Sequence, residues 1–295
     1  MNVSSAELAS LSRMFSSAVL RELGRHGQSA LLGRLLAQTA VPSTLSSGAT
    51  LGDAFDRAFA MLSRVGNRDE YVYRTAITQK ILLGHHSLRT ASMLGEARVG
   101  MCKADVVMLN GTSTAYEIKS ERDSLSRLHS QVTSYGTVFA AVNVVTSAKH
   151  VQQVCRQVPS DVGVLVLSRR FTLQTEREAV VDPNRTSSLA ILDFVRADEA
   201  AAILRAFDIA MPQVPNTQLR SRLKDIFVEL EPARVHDEMV RVLKEKRSQK
   251  AAAELMKSIP WSLRAAMLTL KMDRASEHKV RDATLLPVGA AFAWR

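Results

Sequence analysis

Between Met93 and Leu167 the hydrophobic pattern changes period, and that change limits the fold more than any other feature of the chain. Upstream, apolar residues recur at helical spacing: Leu8, Leu11, Phe15, Val19, Leu20 and Leu23, then Leu31, Leu32, Leu35 and Leu36, then Leu51 to Val65. The segment VPSTLSSGAT interrupts them as a loop. Past Gly84 the apolar runs shorten. Met93–Val99, Ala104–Leu109, Thr112–Ile118, Ala141–Thr146 and Val162–Leu167 are rich in apolar and β-branched residues and read as strands. Asn110-Gly111, between the second and third, is the strongest hairpin signal in the chain. Ser120–Phe139 and Lys149–Gln157 read as helices lying between strands, and such connections give parallel pairs with right-handed crossovers. Phe171–Asp182 adds an edge hairpin, and the chain reads as helical from about Thr186. The expected class is α/β: a mixed β-sheet core flanked by helices, with helical N- and C-terminal extensions. The expected division is a helical N-terminal extension at 1–65, a core at 66–185 and a helical C-terminal region at 186–295, with a break at Met211–Pro215 (MPQVP).

Charge narrows the partners. The formal net charge is +10 and the sequence pI about 9.9. This suits a polyanion, of which nucleic acid is the usual one; the plainer reading is a soluble protein that happens to be basic. Residues 216–295 hold 16 Lys and Arg against 10 Asp and Glu, and Lys244, Lys246, Arg247 and Lys250 form a dense basic segment. Glu238, Glu245 and Glu254 interleave with it, so a solvated face of mixed charge is the preferred reading over a phosphate-binding surface. Two cysteines, Cys102 and Cys155, fit a reducing compartment, and no Cys/His cluster has zinc spacing. His85-His86 sits in a turn-like context and reads as surface. The start, MNVSSAELASLSRMF, lacks the pattern of a secretory signal, and no apolar run approaches the roughly 18 residues of a membrane span. The expected location is cytoplasmic, without membrane association.

The chemistry gathers in Lys103–Tyr135, KADVVMLNGTSTAYEIKSERDSLSRLHSQVTSY. Residues two apart in a strand share a face, so Glu117 and Lys119 point one way and Ile118 the other. A charged pair closing an apolar strand must meet solvent, a partner or a metal. Asp105 opens the neighbouring strand, and its register with Glu117 can be counted. A two-residue Asn110-Gly111 loop pairs Asp105 with Tyr116 and turns Glu117 away. A three-residue loop, Asn110-Gly111-Thr112, pairs Leu109 with Ser113 and Asp105 with Glu117. A shared site requires the longer loop or a bulge, and that departure from the simplest hairpin is the expectation adopted.

In that register Asp105, Glu117 and the Ile118 carbonyl are candidate ligands for Mg²⁺, which takes oxygen ligands at about 2.0–2.1 Å. Mn²⁺ is the alternative ion. Lys119 is placed to orient or deprotonate a water, or to neutralise charge developing on a phosphate. Glu70 is a candidate additional ligand, direct or through water; its plainer reading is a capping-box residue three positions after an N-cap at Asn67. Singly, each of these residues is better read as half of a surface ion pair, Asp105–Lys119 or Glu117–Lys103, worth about 0–1 kcal/mol. Arg74, Lys80, Arg89, Arg98 and Lys103 add positive charge around the site, as phosphate contacts or as ordinary surface.

With these residues in view, the sequence resembles the PD-(D/E)XK nuclease superfamily. The match is Ala104-Asp105 opening one strand, Glu117-Ile118-Lys119 closing the next, and Gln131-x-x-x-Tyr135 on the following helix, an element similar to that of RecB-like nucleases. The wider stretch from Glu70 to Thr146 is similar to a bacterial family in that superfamily, several of whose members are associated with mobile elements. The resemblance implies a restriction-endonuclease-like fold, a metal site of Glu70, Asp105 and Glu117, a catalytic Lys119, and Gln131 and Tyr135 in support or in contact with DNA. It covers about a third of the chain and says little of residues 1–60 or 210–295. Ala104 stands where the literal signature has proline. Many relatives act as dimers, so a homodimer is compatible, although no segment defines an interface.

The leading expectation is a Mg²⁺-dependent deoxyribonuclease, in defence or mobile-element biology by analogy alone. A nucleic-acid-binding module without catalysis is the alternative, against which two carboxylates facing a polyanion speak. A protein-interaction scaffold using the helical ends is the third.

Overall fold

The computed structural model describes residues 3–294. In chain order, five helices come first: α1 (Ser5–Met14), α2 (Ser17–His26), α3 (Ala30–Ala37), α4 (Leu51–Leu62) and α5 (Glu70–Ile77). Three strands follow, β1 (Ser92–Val99), β2 (Cys102–Leu109) and β3 (Ser113–Lys119), then α6 (Leu128–Gly136), β4 (Ala141–Thr146), α7 (Val151–Gln157), β5 (Gly163–Leu167) and β6 (Leu173–Arg177). The remainder is helical: α8 (Ser188–Phe194), α9 (Ala197–Arg205), α10 (Asn216–Phe227), α11 (Pro232–Lys246), α12 (Ala253–Ser258), α13 (Arg264–Thr269) and α14 (Arg274–Thr284), with short 3₁₀ turns between. No helix among the described residues is long and apolar enough to cross a membrane.

The strands form one six-stranded sheet in the order β1-β2-β3-β4-β5-β6. β3, β4 and β5 run parallel, joined through α6 and α7; β1, β2 and β6 are antiparallel to their neighbours. The class is therefore the expected one, a mixed sheet flanked by helices. β2 is buried on both faces from Val106 to Leu109, which explains its unbroken apolar run. One face packs with Leu128, Val132 and Tyr135 of α6, Ile191 and Leu192 of α8, Leu223 and Phe227 of α10 and the apolar stripe of α11 in a single core.

The chain divides into two compact units by contact. One joins Met1–Ile81, Arg169–Thr172 and Lys250–Arg295; the other comprises Leu82–Ser168 and Leu173–Gln249 and contains the whole sheet. The expected division at 65/66 and 185/186 follows chain order, whereas these units follow contacts. Met211–Pro215 is irregular, as expected, but α9 before it and α10 after it belong to the same unit.

Two local readings are corrected. Asn67 does not cap α5: its side-chain amide donates to the Met61 carbonyl, and Asp69 is the N-cap, accepting from Val72 N–H at 3.1 Å. Glu70 is therefore the first helical residue, not a capping-box partner, and it pairs with Arg74 one turn on. The helix expected over Ser120–Phe139 begins only at Leu128. Asp123 accepts from Ser120 N–H at 2.7 Å while Asp123 N–H returns to the Ser120 carbonyl, a local side-chain turn that competes with helix.

In the basic segment, Lys246 pairs with Asp198, and Arg247 donates twice to buried Glu199 at 2.7 Å. These cations hold α11 to α9, in keeping with the mixed-charge reading.

The unit's core carries one polar strut. Ser113 Oγ, at the start of β3, lies 2.8 Å from His236 Nε2 on α11, and His236 Nδ1 lies 3.0 Å from Asp237 Oδ1. The order Ser, His, Asp is that of a nucleophilic triad, but Ser113 and His236 are both fully buried, so no substrate reaches them. Asp237 can only accept, so the proton of the neutral ring sits on Nδ1 and Nε2 accepts from the Ser113 hydroxyl, whose oxygen also accepts from Ala140 N–H. Burial lowers the His236 pKa from its ordinary 6.5, more than Asp237 raises it. Between the folded and unfolded values the unfolded chain binds more protons, so stability is lost as pH falls from about 6.5 through the folded value. Thermal unfolding at pH 7.5 and 5.5 measures this: wild type loses stability on acidification, and His236→Gln loses less. Equal loss in both would show that His236 is not the group responsible.

Candidate active site

The hairpin between β2 and β3 sets the site. Leu109 pairs with Ser113, Met108 with Thr114, Val107 with Ala115 and Val106 with Tyr116. Asn110, Gly111 and Thr112 form the loop, closed by Asn110 N–H to the Thr112 carbonyl at 2.8 Å, with Gly111 at φ +72°, a conformation that favours glycine. This is the three-residue loop that the shared-site reading requires. Carried one residue further, the register sets Asp105 opposite Glu117. Asp105 Oδ2 accepts from Ile118 N–H at 2.7 Å, so the carboxylate is tied across the hairpin to the backbone beside Glu117.

Glu117 is 2% exposed and is held by three donors. Lys119 Nζ reaches its Oε1 at 2.8 Å, and Gln131 Nε2 the same oxygen at 2.6 Å. The Tyr135 hydroxyl reaches Oε2 at 2.8 Å and also lies 2.9 Å from the Lys103 carbonyl. Lys119 Nζ donates in addition to Gln131 Oε1 at 3.0 Å. Burial and the neighbouring Glu117 carboxylate both raise the Tyr135 pKa far above that of a free phenol, so the hydroxyl keeps its proton as a donor. Gln131 and Tyr135 reach one carboxylate because they are four apart on α6, one turn on the same face.

Ile118 turns the other way and is buried. Lys103, at the exposed start of β2, pairs with Glu96 at 3.0 Å, not with Glu117. Lys119 pairs with Glu117 at 2.8 Å. Glu70 and Arg74 lie in the other compact unit and pair with each other, so Arg74 is engaged in an intrahelical ion pair. Glu96 is a neighbour of the site that the sequence pattern does not mark. It lies opposite Asp105 between the paired positions Gly95–Val106 and Ala97–Ala104, and its φ of +53° is left-handed. A non-glycine residue held there costs of the order of 1–3 kcal/mol, and such strain gathers at functional sites. Nothing in SMLGEARV signals it beyond Gly95.

Carboxylate oxygens are the ligands a hard dication takes, and both Glu117 oxygens already accept hydrogen bonds. Asp105 and Glu117 offer only carboxylate oxygens, and with Lys119 the cluster carries one net negative charge. Mg²⁺ is commonly held by one or two carboxylates with several waters retained. Among the described residues no group of three or more His, Cys, Asp or Glu side chains is arranged to hold a metal. The protein ligands would be these two carboxylates and a backbone carbonyl.

A family profile described as bacteriophage P4 protein cII matches residues 63–268, more than two thirds of the chain. The chain belongs to the phage P4 cII family. Protein cII of Enterobacteria phage P4 is 41% identical over 63 residues, 21% of this chain and 24% of that protein. The chain thus spans about a quarter of the length of the curated relative it matches. No solved structure matches. The cII match takes in the whole sheet and every residue of the cluster around Glu117.

Proposed function

We propose that the protein is a metal-dependent nuclease that hydrolyses phosphodiester bonds in DNA. The observation that carries this reading is the convergence of Lys119, Gln131 and Tyr135 on Glu117, with Asp105 tied beside it. These residues are also the ones that resemble the PD-(D/E)XK pattern, and a phage family is compatible with the mobile-element setting implied by that resemblance.

Asp105, Glu117 and the Ile118 carbonyl would hold Mg²⁺ or Mn²⁺. When bound, the ion would supply charge neutralisation at the phosphate and a lower pKa for its water. The chain's own residues do the positioning. Ile118 N–H fixes Asp105, and Gln131 and Tyr135 fix Glu117. An ammonium has three donors, and Lys119 uses two, on Glu117 and Gln131. Its third N–H is left to hold an attacking water or a phosphate oxygen as negative charge develops there. The net charge of +10 favours approach of a polyanion.

A second reading is a nucleic-acid-binding protein that keeps the fold without catalysis. The closed hydrogen bonding of Glu117, with donors on both oxygens, favours it. Incubation of the purified protein with duplex DNA, single-stranded DNA and RNA, each with Mg²⁺ or Mn²⁺, separates the two. Cleavage that disappears in EDTA and in Asp105→Asn supports the nuclease; salt-dependent binding without cleavage under either metal supports the binder.

A further inference from the structure

The β1–β2 hairpin ends in Gly100-Met101, between the paired residues Val99 and Cys102. Gly100 has φ +55°, so a two-residue turn is available that side-chain-bearing residues enter only with strain. Met101 is 100% exposed at its tip. One exposed methionine on a surface means little. What surrounds this one is informative. Arg98 and Lys103 are cross-strand partners, both exposed, and like charges directly opposite destabilise a sheet. Glu96 relieves Lys103, but among the described residues no carboxylate pairs with Arg98. The tip is also held firmly: Ser134 Oγ donates to the Val99 carbonyl at 3.2 Å and the Tyr135 hydroxyl lies 2.9 Å from the Lys103 carbonyl. Both anchors belong to α6, the helix that carries Gln131 to Glu117.

We propose that this hairpin tip is a contact element for double-stranded DNA, with Arg98 and Lys103 on backbone phosphates and Met101 entering a groove as an apolar wedge. A polyanion removes the repulsion between the two cations. Methionine is among the side chains that proteins insert at base steps. Attachment to α6 makes a duplex held by the tip a neighbour of the Glu117 cluster. The proposal rests on the reading of DNA as the substrate, and it is tested without cleavage.

The full-length protein is titrated in EDTA into a fluorescein-labelled duplex at several salt concentrations, and into a duplex carrying 2-aminopurine. Arg98→Ala is expected to weaken binding about 5–10-fold and to lower the slope of log affinity against log salt by about one. Met101→Ala is expected to abolish the rise in 2-aminopurine fluorescence, and Met101→Leu to retain it. Circular dichroism of each variant confirms folding. Binding by Arg98→Ala and Met101→Glu equal to wild type overturns the proposal, whether or not the protein cuts DNA. Failure of the wild type to bind duplex also overturns it. Hairpin-dependent binding by a protein that never cuts with Mg²⁺ or Mn²⁺ supports the tip as a contact and removes the nuclease reading alone.

Discussion

Lys119→Ala is expected to destabilise the protein by about 3 kcal/mol. Removing one partner of a buried ion pair leaves the other charge without compensation, at a cost of roughly 3–5 kcal/mol. Glu117 is buried and loses one of its three donors, while Gln131 and Tyr135 remain, so the lower end of that range applies. The Gln131 carbonyl oxygen also loses a partner. Adding Glu117→Gln removes the stranded charge, and the double variant is expected to recover most of the loss. Urea unfolding of the wild type, single and double variants at pH 7 measures this directly. A loss below about 1 kcal/mol for Lys119→Ala, the level of an exposed pair, would show that Glu117 does not depend on Lys119 in the folded protein.

Asp105→Asn has the opposite profile. The amide oxygen still accepts from Ile118 N–H, so the loss of stability is expected to be well below that of Lys119→Ala. The charge that the proposed reaction needs is gone. Cleavage of DNA with Mg²⁺ or Mn²⁺ is expected to fall by about 10²–10³-fold, the scale on which single electrostatic groups act in hydrolytic sites. Rates over several hours on plasmid and linear DNA, set beside the unfolding curves, separate a chemical role from a structural one. A variant that cuts like wild type would exclude Asp105 from the chemistry and with it the reading of this cluster as a nuclease site.

Much of the sheet is legible in the sequence because its information is local. Ala141–Thr146 and Val162–Leu167 are apolar runs too short for core helices, and each is followed directly by a serine. The hairpin register is legible for another reason: placing Asp105 and Glu117 on one face requires the longer loop or a bulge, and Leu109 does pair with Ser113 across the longer loop. Gln131 and Tyr135 draw notice only through the resemblance; spacing alone makes Tyr135 an ordinary core-edge tyrosine. Other features are set by competition that no pattern displays. Asn67 and Asp69 are both good caps, and Asn67 is drawn off to the Met61 carbonyl. Ser120 and Asp123 bond each other before a helix can start. The separation of Glu70 from the Glu117 cluster into another compact unit depends on contacts between distant segments, and sequence order gives no sign of it.

That division has a consequence for synthesis. The sheet unit spans Leu82–Gln249 with only a four-residue excursion, Arg169–Thr172, whereas the first five helices share a unit with Lys250–Arg295. In that unit α2 packs on α14, Leu51 N–H donates to the Leu286 carbonyl, and the Tyr71 hydroxyl donates to the Ser262 carbonyl. A ribosome therefore makes the N-terminal helices first and their partners last. At about 5–20 residues per second the helices wait some ten to forty seconds with apolar faces uncovered, while the sheet can close in the interval. Nascent chains arrested with residue 249 outside the exit tunnel are expected to resist protease across the sheet and to be cut within the first 80 residues. Protection of both segments at that length would show that the N-terminal helices need no late partner.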